Sequence, residues 1–147
     1  MDTFEARNIA VVRRYFDGCN SGDLDELLKH ARARRRTYFL PKSFLTIQGA
    51  MHLAKLWQKY KSLLQPIWRI DEIIGHGDRV VSEWSVLWTP VGKTHQIMSR
   101  GTEWYIVRDG LIAEIRAYFG AERSVEIDTE LADFPYSERG YLTREGA

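Results

Sequence analysis

A single cysteine, Cys19, stands among 147 residues. No intrachain disulfide framework and no thiolate cluster for a metal is therefore expected. Proline is also scarce, at four residues, which leaves long stretches able to form unbroken helices and strands. No apolar run approaches the ~18 residues of a membrane span, so no insertion into a membrane is expected. The segment MDTFEARNIA sets acids ahead of any apolar run and lacks the basic-then-apolar order of a signal peptide, which points to the cytoplasm. An excess of one charge is missing too. Twenty-one Lys and Arg offset 20 Asp and Glu, leaving +1, too little to pull the chain toward nucleic acid or anionic lipid.

What is present is a packed globular composition, 44% hydrophobic and 12% aromatic, at the length of one domain. The two halves differ in period. Asp2 and Glu5 have the spacing of a capping box, and Ile9, Val12, Phe16 and Cys19 then recur on one helical face. Asn20-Ser21-Gly22 ends that helix, and Asp23 and Glu26 open a short second one. After the basic run Arg32 to Arg36, read as a solvated face pairing with the acidic tail, Thr37 to Leu40 form a short strand stopped by Pro41. A third helix follows Gly49, with Leu53, Leu56, Trp57, Tyr60 and Leu64 on one side, and Pro66 closes it.

Beyond Pro66 the pattern alternates. Strands are expected over Ile67 to Ile74, Arg79 to Trp88, about Thr94 to Val107, and Leu111 to Phe119, with Arg108-Asp109-Gly110 as the last tight turn. Helices followed by an antiparallel meander make an α+β fold whose sheet curls over the helices. Period two groups Ser82, Trp84, Val86 and Trp88 on one strand face, and Gly101, Glu103, Tyr105 and Val107 on another. Residues 121 to 147 form an acidic tail carrying Phe134, Tyr136 and Tyr141, either docked by those aromatics or disordered at its end.

Two segments carry a family resemblance. Ala10-Val11-Val12-Arg13-Arg14-Tyr15 with Asn20-Ser21-Gly22-Asp23-Leu24-Asp25 resembles the opening of a bacterial ketosteroid isomerase. Tyr105-Ile106-Val107-Arg108-Asp109-Gly110-Leu111-Ile112, continuing to Arg116-Ala117-Tyr118-Phe119, resembles the closing strands of those enzymes and of the SnoaL-like cyclases. The resemblance implies an NTF2-like (cystatin-like) domain over residues 1–120, with 121–147 as a tail. Its implied form is an α+β barrel or cone: three N-terminal helices packed in a strongly curved, mainly antiparallel sheet around an apolar pocket. It also implies a homodimer.

Carried over by position, Tyr15 falls where the isomerases place a tyrosine that donates to a substrate oxyanion. Glu103 falls where they keep a protonated Asp. Leu40 falls where they have the catalytic base, so steroid isomerisation is not expected. A proton acceptor would have to come from Tyr38, His76 or a bound water. Ser82, Trp84, Val86, Trp88, Gly101 and Tyr105, with Leu40, Trp57 and Phe119, would line the pocket. Such a lining suits a small hydrophobic or aromatic molecule. The four histidines lack metal-ligand spacing, and no dinucleotide or phosphate-loop motif occurs, so no cofactor is expected. Three functions follow from these residues: an enzyme working by elimination, isomerisation or cyclisation through an enol, a binding module without chemistry, or a structural dimerisation domain.

Overall fold

A computed structural model describes residues 3–40, 46–119 and 131–144, without the side chains of residues 33–35, 39 and 40. Helix α1 spans Phe4–Ser21 and is capped by Thr3, whose hydroxyl accepts the Ala6 N–H at 3.1 Å. The acid expected to open it, Asp2, lies outside the described residues. The helix stops where Gly22 takes φ 68 and returns its N–H to the Gly18 carbonyl at 2.9 Å, a conformation that favours glycine. Asp23 then caps α2 (Leu24–Lys29), its carboxylate accepting from the Asp25 and Glu26 amides, an arrangement worth about 1 kcal/mol. Helix α3 is Ala50–Leu64 and buries Leu53, Ala54 and Trp57, as its apolar spacing requires.

The strands are β1 (Ala31–Leu40), β2 (Ile47–Gln48), β3 (Ile67–His76), β4 (Arg79–Trp88), β5 (Ile97–Arg108) and β6 (Leu111–Phe119). They form one curved sheet in the order β2-β1-β6-β5-β4-β3. The β1–β6 pair is parallel and the others are antiparallel. The expected barrel is corrected here: β2 and β3 are the two edges and do not pair, so the sheet stays open. The first strand begins earlier than Thr37: Arg32 to Arg36 lie within β1, whose register to β6 shifts between Ala31 and Arg36, and Arg32 forms an ion pair with Asp109 at the last hairpin.

The inner face carries the main core. Val12, Leu53, Val80, Tyr105, Val107, Ile112 and Ile115 are all fully buried there. Helix α1 is tied across edge strand β3 at both of its ends. The Asn20 side chain donates to the Trp68 carbonyl at 2.9 Å and accepts the Trp68 N–H at 2.7 Å. Near the other end Asn8 donates to the Gly77 carbonyl at 3.0 Å, and Glu5 accepts from Gly77 at 3.3 Å. These ties satisfy backbone groups that an edge strand otherwise exposes. They also fix where the middle of α1, including Tyr15, meets the sheet.

Residues 131–144 lie on the opposite, outer face, over β3, β4 and β5. Leu142 packs with Leu87 and Met98, Arg100 stacks on the Tyr136 ring at 3.8 Å, and the Arg69 guanidinium donates to the Gly140 carbonyl at 2.7 Å. Under this segment the Leu142 N–H reaches Asp71 at 3.2 Å and the Tyr141 hydroxyl reaches Glu83 at 2.8 Å. Phe134, Tyr136 and Tyr141 stack on one another with centroids 4.6 to 5.5 Å apart. Among the described residues no helix is long and apolar enough to cross a membrane.

Candidate functional site

Strand register arranges the inner face in rows, because residues directly paired across antiparallel strands project to the same side. One row joins Val80, Tyr105 and Ile115, and Thr37 of β1 aligns with Ile115. The next joins Ser82, Glu103 and Ala117. The third joins Ile70, Trp84, Gly101 and Phe119, and the fourth contains Trp68 and Val86. Burial falls along this series, from the fully enclosed Tyr105 to the half-buried Trp68, Trp88 and Phe119, so the rows run from a deep end to a rim.

The deep end is polar. Glu103 is only 5% exposed, and the Tyr105 hydroxyl donates to its carboxylate. Ser82 Oγ lies 3.2 Å from the same hydroxyl. Burial, then the neighbouring Glu103, pushes the Tyr105 hydroxyl well above its usual range, so Tyr105 keeps its proton and acts as a donor. Helix α1 brings the Tyr15 ring edge-on to Tyr105, with centroids 6.3 Å apart. Helix α3 brings Trp57, whose ring N–H donates to the Tyr15 hydroxyl at 2.6 Å. Five side chains from α1, α3, β4 and β5 thus form two hydrogen-bonded units in contact within an apolar core.

From that end an aromatic series leads outward. Trp57 meets Trp68 at 5.6 Å, Trp68 meets Trp84 at 4.9 Å, and Trp84 meets Phe119 at 6.2 Å. Gly101 permits this packing: a Cβ there would fall 2.5 Å from Trp84 Cζ2 and 2.6 Å from the Tyr118 carbonyl. Trp88 closes the rim, its N–H donating to Ser99 at 2.9 Å.

The residues singled out from sequence therefore separate. Tyr15, Trp57, Ser82, Trp84, Val86, Gly101, Glu103, Tyr105 and Phe119 come together on the inner side, with Trp88 at its rim. Two candidate proton acceptors do not join them. Tyr38 is in register with Arg116, on the strand face opposite the buried Thr37, because alternation in β1 sends only one of the two inward. His76 is exposed at the end of β3, beside the Gly77-Asp78 turn. Leu40 continues the backbone of β1, but its side chain lies outside the described residues. Trp68 was not anticipated. β3 changes phase at a bulge between Ile70 and Glu72, which hides the inward set Trp68, Ile70 and Ile73 from a period-two reading. Among the described residues no group of three His, Cys, Asp or Glu side chains is placed to hold a metal ion.

Solved structures share this architecture. A Methylobium petroleophilum protein of unknown function with a cystatin-like fold is 29% identical, with a TM-score of 0.70 over 95% of this chain and 93% of its own. A Mycobacterium tuberculosis epoxide hydrolase of the LEH-like kind is 19% identical, with a TM-score of 0.71 over 80% of this chain and 86% of its own. TerC, co-crystallised with polyporic acid, is 18% identical, with a TM-score of 0.68 over 78% of this chain and 92% of its own. No curated protein matches the sequence. The sequence profile of the SnoaL-like domain, however, matches residues 12–115, from the middle of α1 to the middle of β6, and the chain belongs to that family.

Proposed function

We propose that the deep polar cluster is the reaction centre of a small-molecule enzyme. Its substrate would be apolar and carry a carbonyl or hydroxyl, and its reaction an elimination, isomerisation or cyclisation through an enol or enolate. The observation that carries this reading is Glu103, a buried carboxyl on the inner face of the sheet, hydrogen-bonded by Tyr105. A packed core gains little from a buried carboxyl, since desolvation offsets what its partners return. In a reaction centre the same burial keeps an acid poised to give or take a proton.

The chemistry follows from the partners. The Tyr15 hydroxyl, polarised by the Trp57 N–H, donates to the substrate carbonyl and stabilises charge developing on that oxygen. The Glu103 carboxylate takes the proton from the carbon beside the carbonyl, giving the enol or enolate, and returns that proton to the departing hydroxyl, which leaves as water as the double bond forms. In an isomerisation it takes a proton from one carbon and returns it to another. One carboxyl closes the proton balance, so Leu40 in place of a separate base is no obstacle. The Tyr105 O–H steadies the carboxylate before the first transfer and after the second.

Proton exchange at the α-carbon of 2-tetralone in D2O, followed by NMR, tests this directly. Wild type should accelerate exchange above the buffer rate. Glu103→Gln should slow it about 100-fold and Tyr15→Phe at least tenfold. Binding without exchange would favour the second reading, a ligand-binding module without chemistry. That reading gains support from Tyr38 and His76, whose placement away from the cluster leaves fewer groups to move protons. A homodimer is also proposed. Residues 131–144 occupy the outer face over β3 to β5, so a second copy would meet the sheet at exposed Trp104 and Tyr118 on β5 and β6.

A further inference from the structure

Residues 131–144 bond to the outer face at positions that alternate with the inner site. The Leu142 N–H donates to Asp71 at 3.2 Å, and the Tyr141 hydroxyl to Glu83 at 2.8 Å. Ser85 donates to the same Asp71 and accepts from Arg100 at 2.5 Å, and Arg100 stacks on the Tyr136 ring. Each of these outer residues adjoins an inner one. Asp71 follows Ile70, Glu83 and Ser85 bracket Trp84, and Arg100 precedes Gly101. Ile70, Trp84 and Gly101 are the row paired across β3, β4 and β5. The segment thus grips one row of the inner wall from behind, on the rim side of Glu103.

At that row the sheet needs what the segment supplies. Asp71 is the bulged residue of β3, with no partner in the register between Ile70–Trp84 and Glu72–Glu83. A bulge disrupts the ladder locally and re-aims the side chains beside it. Just past it Glu72 and Glu83 stand directly opposite each other, and like charges so placed destabilise a strand pair. The Leu142 N–H holds the bulged carboxyl, and the Tyr141 hydroxyl gives Glu83 a donor. The segment is also packed apart from the main core. Leu142 joins Leu87 and Met98 in a cluster distinct from the one that unites α1 and α3 with the sheet. It can therefore come away by local opening, at less than the cost of global unfolding.

We propose that residues 131–144 are a positioning element for the inner wall. Docked on the outer face, they fix the β3 bulge and the Trp84 segment of β4, and through these the Trp68 and Trp84 rings. This rests on the reading of the inner face as a reaction centre, whose substrate lays its apolar body against those rings. Undocking leaves Trp68 and Trp84 without their backing, while Glu103, Tyr105 and Tyr15 keep their hydrogen bonds. The outer segment thus governs how tightly substrate is held, and not the proton transfers.

The test uses the full chain carrying 15N-tryptophan. Tyr136→Ala removes the ring that stacks on Arg100, Tyr136→Phe keeps it, and Tyr141→Phe removes only the bond to Glu83. Trypsin cleavage at exposed Arg139 reports release of the segment, NMR reports the indole N–H groups, and 2-tetralone exchange reports the site. Tyr136→Ala should speed cleavage and move the Trp68 and Trp84 resonances more than that of Trp57, whose N–H the Tyr15 hydroxyl accepts. KM for 2-tetralone should rise about tenfold while kcat stays within about twofold, the mark of lost binding without lost chemistry. Tyr136→Phe should behave as wild type, and Tyr141→Phe should fall between the two. Release of the segment with unmoved Trp68 and Trp84 resonances would overturn the proposal, as would a loss confined to kcat. Unchanged cleavage in both Tyr136→Ala and Tyr141→Phe would overturn it too. Should Tyr136→Ala fail to fold, Tyr141→Phe carries the same comparison. If wild type does not exchange 2-tetralone but the indoles respond to release, the coupling stands and the reaction-centre reading falls.

Discussion

The two faces of the central strands each bury a carboxyl, and they treat it in opposite ways. On the outer face Asp71 accepts from the Ser85 hydroxyl and the Leu142 N–H, and Arg100 donates to Ser85 at 2.5 Å and stacks on Tyr136. The carboxylate lies beside a cation, and the cluster ties residues 131–144 to the sheet. On the inner face the Tyr105 hydroxyl donates to Glu103, and Ser82 Oγ lies 3.2 Å from that hydroxyl. The outer carboxyl shares its burial with a guanidinium and a docked segment, and the inner one with aromatic rings. Burial alone does not distinguish the two carboxyls, whereas the nature of their neighbours does.

Four perturbations test that contrast. The largest effect on stability should come from Asp71→Ala, which leaves Arg100 and Ser85 buried without their carboxylate. A loss of about 3 kcal/mol is expected in urea unfolding, with faster proteolysis of residues 131–144. A loss below about 1 kcal/mol would mean that the outer cluster is incidental. Next is Gly101→Ala, whose added methyl must displace Trp84. About 2 kcal/mol should be lost, together with the near-ultraviolet circular dichroism of the inner tryptophans, while the outer face stays docked.

Glu103→Gln should change stability by less than about 1 kcal/mol, or raise it, because the residue gives up a desolvated acid and keeps its size. Ligand binding and proton exchange should nevertheless fall. A large destabilisation would make Glu103 structural and erase the difference between the faces.

The smallest effect concerns pH. Burial holds the Asp71 carboxyl above its ordinary range, and the Ser85, Leu142 and Arg100 interactions offset this only in part. The folded state therefore binds this proton more readily than the unfolded chain. The Asp71 contribution to stability is fully present below the unfolded pKa and is lost as pH rises through the folded one. Compared with Asp71→Asn, wild type should gain relative stability between pH 7 and pH 4.5. A gap that closes in that direction would contradict the assignment.

Much of this contrast was legible in the residues themselves. Period two over Val80 to Trp88 and over Gly101 to Val107, with antiparallel pairing of the two strands, places Ser82, Trp84, Glu103 and Tyr105 together on one side. Three features were not legible, each for a local reason. The β3 bulge breaks the period that would have revealed Trp68. The arginines of β1 carry no apolar alternation, and the strand they extend is paired to the distant β6 at Ala31 and from Arg36 onward. The outer cluster joins Asp71, Ser85, Arg100 and Leu142, residues far apart in sequence, and no spacing rule anticipates such a meeting.

The indole series has an optical consequence. Chromophores stacked at 5.6 and 4.9 Å share their excited states, so Trp57, Trp68 and Trp84 should absorb as a coupled set and not as independent rings. Their exciton couplet in circular dichroism would depend on ring orientation at the site itself. The protein thus carries a built-in spectroscopic gauge of how these rings are arranged, able to report their displacement without any label.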